Sequence, residues 1–170
     1  QQLYEGLPVG SEGSVGLITY MRTDSTDVAP SALRETIEYI RANYGTKYAP
    51  KSPRLYTKKS KGAQEAHEAI RPTSIKRTPE LIKNYLSRDQ ARLYDLIWKR
   101  MLASQMVDAV SDSTRVDVHA QGSNTLGQTY VFRTTGIVLK FPGFRAVYLE
   151  DRDDSEEEED QSKLPELTVG

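Results

Sequence analysis

The chain has 170 residues, no cysteine and a formal net charge of −1. Without cysteine there is no disulfide, thiolate nucleophile or zinc–cysteine site, which allows a reducing compartment without proving one; no apolar run approaches the roughly 18 residues of a membrane span, and a cytoplasmic protein without membrane contact is the expectation. The charge is an average of opposites: residues 1–149 hold 21 bases and 14 acids, a net of +7, while residues 150–170 hold 10 acids and 2 bases, a net of −8, so the body suits a polyanion.

Gln1 to Glu5 carries no signal-peptide pattern. With no initiator Met and a start that reads as mid-helix, the chain suggests a piece of a longer protein. Gly6 and Pro8 stop that helix, and the glycine- and serine-rich run Val9 to Val15 reads as a mobile loop. Gly16-Leu17-Ile18-Thr19-Tyr20 reads as a short β segment, followed by the turn-forming Met21-Arg22-Thr23-Asp24-Ser25-Thr26. In an extended chain Tyr20 and Arg22 share one face and Thr19 and Met21 the other. Pro30 fits the first position of a helix; Leu33, Ile37, Ile40 and Tyr44 give it one apolar stripe, and Gly45 stops it.

Lys47 to Gly62 holds Lys47, Lys51, Arg54, Lys58, Lys59 and Lys61 with no acid, interleaved with Tyr48 and Tyr56. Cations among aromatic rings suit single-stranded nucleic acid; a solvated loop is the plain alternative. In Gln64 to Pro72, His67 and Arg71 stand at i and i+4, on one face of a helical turn that Pro72 would end. Thr78-Pro79-Glu80 opens a short helix reaching about Leu86, and Ser87 with Gln90 makes a capping box for the next. Along that helix Tyr94, Ile97, Trp98, Met101, Leu102 and Gln105 share a face, and Trp98 reads as core.

The period changes near Asp108. Thr114, Val116 and Val118 alternate with Arg115, Asp117 and His119, predicting a half-exposed strand with His119 outward. Gly122 to Gly127 is a turn, Tyr130 to Thr134 alternates again, and Ile137 to Phe141 forms a further strand after Gly136. Glu150 to Asp160 has nine acids in eleven residues and should be disordered, and Leu164 to Val169 reads as a last strand.

Tyr20 beside Arg22 is a pair fit for phosphate chemistry: the phenol as nucleophile, the guanidinium as a two-point phosphate ligand. The bland alternative is a buried tyrosine next to a solvated arginine. Forming the phenolate at pH 7 costs roughly 4 kcal/mol, of which one close cation offsets about one to three pKa units. His67 serves either as a cationic phosphate ligand or as a neutral proton acceptor, and the sequence does not choose.

The strings ITYMRTDST and, about forty-five residues on, QEAHEAIRP (Gln64 to Pro72) resemble the active-tyrosine region of type IA DNA topoisomerases. LYDLIWKRMLASQM and TGIVLKFPGF extend the resemblance over nearly the whole chain, and Met21 makes it more similar to bacterial topoisomerase I than to topoisomerase III, where proline is usual at that place. The resemblance implies transesterification on single-stranded DNA through a 5′-phosphotyrosine link, strand passage and relaxation of negative supercoils. It implies Tyr20, Arg22 and His67 as catalytic residues. DNA contacts are expected from Arg22, Thr23, Lys58, Lys59, His67 and Arg71, with no metal ligand on the chain. Mg²⁺ and the acid for the leaving oxygen are expected on a separate Toprim domain, an essential partner without which cleavage fails.

The expected fold is α+β: a mainly helical, winged-helix-like domain at 1–107, then a partial antiparallel β domain at 108–170 with an acidic disordered loop at 150–162. Strands that complete the β arch of the family precede this region, so the β portion is expected to have an exposed edge prone to pair with a second copy. Two other readings stand beside the enzyme. One is a non-catalytic module that binds single-stranded DNA, with Tyr20 stacking on a base; the other is an interaction domain whose basic loop serves only for solvation.

Overall fold

The computed structural model describes residues 1–56, 67–122 and 129–149. They fall into two units, one formed by residues 1–108 with 143–149, the other holding residues 109–142. The mixture of helices and small antiparallel sheets is α+β.

In the first unit, helix α1 spans Gln2–Glu5, α2 Pro30–Asn43, α3 Pro79–Ile82 and α4 Arg88–Ser104. Pro30 is the first residue of α2, and Leu33, Ile37 and Ile40 face inward. At its end Gly45, at φ 96°, donates its N–H to the Ile40 carbonyl, a backbone shape that glycine adopts without strain. Helix α4 starts with the reciprocal Ser87–Gln90 capping box. It buries Tyr94, Trp98, Met101 and Leu102. Trp98 is core: its indole N–H reaches the Ile75 carbonyl at 2.8 Å and its ring meets Tyr39 edge-on. The Tyr94 hydroxyl donates to the Arg77 carbonyl at 2.7 Å, and burial pushes its pKa up. Each fully buried aliphatic side chain, such as Ile40 or Leu102, contributes about 1.5–3 kcal/mol.

Val9 to Val15 is held, contrary to the mobile loop expected there. Strands β1 (Leu7–Pro8) and β2 (Ser14–Val15) pair antiparallel around a 3-10 turn at Gly10–Glu12. Val9 is buried and donates to the Gly13 carbonyl, so one apolar side chain and one bond anchor the loop.

Gly16 to Tyr20 is not a strand. Among the described residues its ladder contact is a single antiparallel bridge, Ile18 to Pro72. Thr73 N–H donates to the Leu17 carbonyl at 3.0 Å and Thr19 N–H to the Arg71 carbonyl at 2.9 Å, flanking that bridge. Arg71 N–H, which a regular rung would give to the Thr19 carbonyl, goes instead to the Thr19 hydroxyl, and that hydroxyl donates to the Ala69 carbonyl. A side chain thus replaces the next rung.

The second unit is one long hairpin, β3 (Val110–Gln121) against β4 (Thr129–Phe141), with a register irregularity at Val110/Ser111. The break expected at Gly136 does not occur, because Gly136 pairs in the ladder opposite Thr114. The expected half-exposed pattern is also absent: Val118, Tyr130, Phe132, Ile137 and His119 are all exposed, and both faces lie open among the described residues. Asp117 and Arg133 sit directly opposite and form a two-point ion pair at 2.7 and 2.9 Å.

Residues 143–149, expected within the β region, belong to the first unit. Phe144 N–H donates to the Val107 carbonyl, and Phe144 and Val147 pack on the core. Lys58, Lys59 and Lys61, the acidic run 150–162, the expected strand 164–169 and most of the turn at 122–127 lie outside the described residues.

Candidate active site

Two segments about fifty residues apart in sequence are stitched side by side, and each ends in candidate chemistry. One leads into Tyr20 and Arg22, the other carries His67. The stitch is the Ile18–Pro72 bridge with the Thr19 hydroxyl, extended by the Ala69 N–H donating to the Asp27 carbonyl at 2.7 Å. Glu68 completes it: its carboxylate accepts from Ala29 N–H at 2.7 Å, before helix α2, and from Arg71 at 2.7 and 3.1 Å. Burial raises the Glu68 pKa, but the Arg71 hydrogen bonds, the Ala29 N–H and the Arg71 charge outweigh it, so the carboxyl lies below its ordinary range.

The stitch brings Arg22 onto His67. Arg22 Nη1 lies 2.7 Å from His67 Nε2. The same Nη1 lies 3.4 Å from His67 Nδ1, which faces Asp24 Oδ2 at 3.4 Å. Asp24 also stands 3.9 Å from Arg22 Nε. In the sequence Asp24 reads only as part of a turn; its position two residues after Arg22 is the one signal of its place here.

Tyr20 is 55% exposed. The buried-tyrosine reading is thus excluded. The chain does not run extended from Tyr20 to Arg22: Arg22 N–H bonds the Tyr20 carbonyl at 2.9 Å, a three-residue turn that cancels the alternation argument. The Tyr20 ring rests edge-on against Tyr4, with centroids 5.3 Å apart. Gly16 makes this possible, since a Cβ there would come within 2.7 Å of the Tyr4 carbonyl oxygen. Tyr4 gave no sign of this role in the sequence.

The remaining candidates divide. Thr23 is exposed next to Arg22. Arg71 is inward, with its side chain 12% exposed, and its guanidinium is committed to Glu68 and to the Pro72 carbonyl. The expected helical turn over His67 and Arg71 is absent, for residues 67–69 are irregular. Arg54, expected unopposed, pairs with Asp108 at 2.9 Å, and that hydrogen bond holds the Asp108 carboxyl below its ordinary range. Among the described residues no three His, Asp or Glu side chains gather as a metal site. Asp24 faces a guanidinium, which opposes a divalent cation, so these residues do not fit Mg²⁺ and no step below runs through one.

A groove of about 1260 Å³ opens in the first unit, walled by Arg22, Thr23 and Thr26 and continuing to Tyr56, Arg100 and Tyr148. Tyr20 and His67 are not in its lining.

No helix among the described residues is long and apolar enough to cross a membrane. A family model described as DNA topoisomerase matches residues 1–170. DNA topoisomerase 1 of Xylella fastidiosa, in strain Temecula1 and in strain 9a5c, is 50% identical over 172 residues, covering all of this chain and 20% of each relative. The full-length topoisomerase I structure from Thermotoga maritima superposes with a TM-score of 0.70 at 38% identity, over 89% of this chain and 22% of that one. The chain spans about a fifth of the length of the relatives it matches.

Proposed function

We propose, on the premise that this chain belongs to the DNA topoisomerase family, that it carries the cleavage tyrosine of a type IA enzyme of the bacterial topoisomerase I kind. The Tyr20 hydroxyl oxygen attacks a phosphorus of single-stranded DNA. A P–O bond forms to the phenol, the P–O3′ bond breaks, and its electron pair leaves with the 3′ oxygen. The phenol proton passes to solvent, and an acid from another part of the enzyme protonates the 3′ oxygen. Attack by the 3′-hydroxyl reverses the link, so the bond energy is conserved without a nucleotide cofactor.

Arg22 supplies the charge. Its N–H groups not used by His67 meet the non-bridging phosphate oxygens, where charge grows in the transition state. His67 acts through Arg22, its imidazole contacting the guanidinium and holding it in place. Thr23, Lys58 and Lys59 are assigned to the DNA backbone. Arg71 instead holds Glu68 and the loop that carries His67. Mg²⁺, the Toprim domain that binds it, strand passage and relaxation of negative supercoils are assigned to the assembled protein.

The observation that carries this reading is the 2.7 Å contact between Arg22 and His67, residues 45 apart in sequence, with an exposed tyrosine two residues before Arg22. The test mixes the chain with the N-terminal portion of its parent enzyme, Mg²⁺ and a labelled single-stranded oligonucleotide, followed by denaturation. A covalent adduct absent in Tyr20→Phe is expected. Salt-sensitive binding with no adduct from either protein would instead favour the non-catalytic binding module.

A further inference from the structure

Beyond Arg22 and Thr23, the groove walls are not assigned to the bond-breaking step above. At about 1260 Å³ it exceeds the roughly 300–1,000 Å³ of an ordinary small-molecule pocket, which leaves room for a ligand of several linked units. Its walls are tied together as one path. The Thr26 hydroxyl donates to the Tyr56 carbonyl, the Tyr56 hydroxyl donates to the Ser104 carbonyl at 2.7 Å, and one turn earlier on α4 Arg100 donates to the Tyr148 hydroxyl at 2.9 Å. The Arg100 guanidinium also lies 5.2 Å from the Tyr148 ring centre. Gln105 locks the path from beneath: it is buried, and its amide accepts from Arg54 N–H and donates to the Arg54 carbonyl.

The composition of the groove is specific. Three guanidiniums, of Arg22, Arg54 and Arg100, stand against two carboxylates, of Asp27 and Asp108. Tyr56 is 47% exposed, so its ring is open to a stacking partner. Val28, Leu33 and Met101 add apolar lining. Excess positive charge, an open aromatic ring and an apolar lining match a strand with anionic links and flat apolar bases.

We propose that this groove seats a single-stranded DNA segment continuous with the one engaged at Tyr20, with Arg100 on a phosphate and Tyr56 under a base. The proposal deepens the function above and rests on it for the identity of the strand. It adds Tyr56, Arg100 and Tyr148 to the DNA-facing residues.

The test is fluorescence anisotropy of the whole chain with a labelled oligothymidylate of about ten nucleotides. Arg100→Gln should weaken binding several-fold and make the slope of log affinity against log salt shallower by about 0.7, one phosphate contact on a single strand. Tyr56→Leu should weaken binding at least about fivefold with the slope unchanged, because stacking carries no counterion release. A general loss of structure would not separate the two slopes, and circular dichroism of each variant checks the fold. Wild-type affinity in both variants, or equal slope changes in both, would overturn the proposal. Thymidine monophosphate binding as tightly as the oligomer would also overturn it, leaving a single anion site. Loss of the groove effects with an intact Tyr20 adduct refutes the groove alone, and the converse refutes the cleavage reading alone.

Discussion

The stitched pair of segments around Tyr20 and His67 and the long hairpin of residues 110–141 are both antiparallel pairings, yet they are built on opposite plans. The hairpin pairs neighbours in sequence through a continuous ladder and leaves its faces open. The stitch pairs residues about fifty apart through one bridge, one hydroxyl and one carboxylate, with Leu17, Ile18 and Pro72 buried. Many weak local rungs make a strand robust to the loss of any one. Few rungs, each set by a particular side chain, make a junction in which every member counts and the geometry at its ends is tightly set.

That contrast can be broken by mutation, and the effects should descend in order. Trp98→Ala removes the core that supports the stitched unit and should cost about 3–5 kcal/mol, read as a fall in the thermal midpoint of the first unit. Glu68→Gln weakens the clamp on Arg71 and Ala29 and should cost about 2 kcal/mol in denaturant unfolding. It should also change the pH dependence. The folded pKa of Glu68 is depressed, so its contribution is fully present above the ordinary glutamate range, about 4.3, and is lost as pH falls through the lower folded value. The variant should therefore show a flatter acid limb than the wild type.

Thr19→Val keeps the shape but deletes the hydroxyl that bridges Ala69 and Arg71. A loss of about 1–2 kcal/mol is expected, with Tyr20 adduct yield falling further than stability does. At the small end, Asp117→Asn removes a solvent-facing ion pair of the hairpin and should leave both the unfolding midpoint and adduct formation unchanged within error. A large effect there, or none at Thr19, would erase the distinction between the two plans.

The sequence was most legible where structure is local. Pro30 and Gly45 bracket α2, the Ser87–Gln90 box opens α4, and the apolar stripe places Trp98 in the core. It was least legible where one side chain substitutes for backbone. Thr19 reads as an ordinary strand residue until its hydroxyl is seen taking the Arg71 N–H that a regular rung would give to its carbonyl. Arg54 reads as a free charge because its partner, Asp108, stands 54 residues further on, whereas Glu68, the partner of Arg71, is only three residues before it, a spacing that the sequence did offer. The literal strings around Tyr20 and His67 nominated the pair, but only the tertiary stitch makes Arg22 and His67 neighbours.

Gly16 carries a cost that reaches past its own backbone. Even the smallest replacement, alanine, would thrust a methyl carbon to 2.7 Å from the Tyr4 carbonyl, and relief requires helix α1 to retreat. Tyr4 would retreat with it and withdraw the ring that steadies Tyr20. A saturation survey of the chain should therefore find position 16 nearly closed to variation, although no atom of that residue reaches the scissile bond.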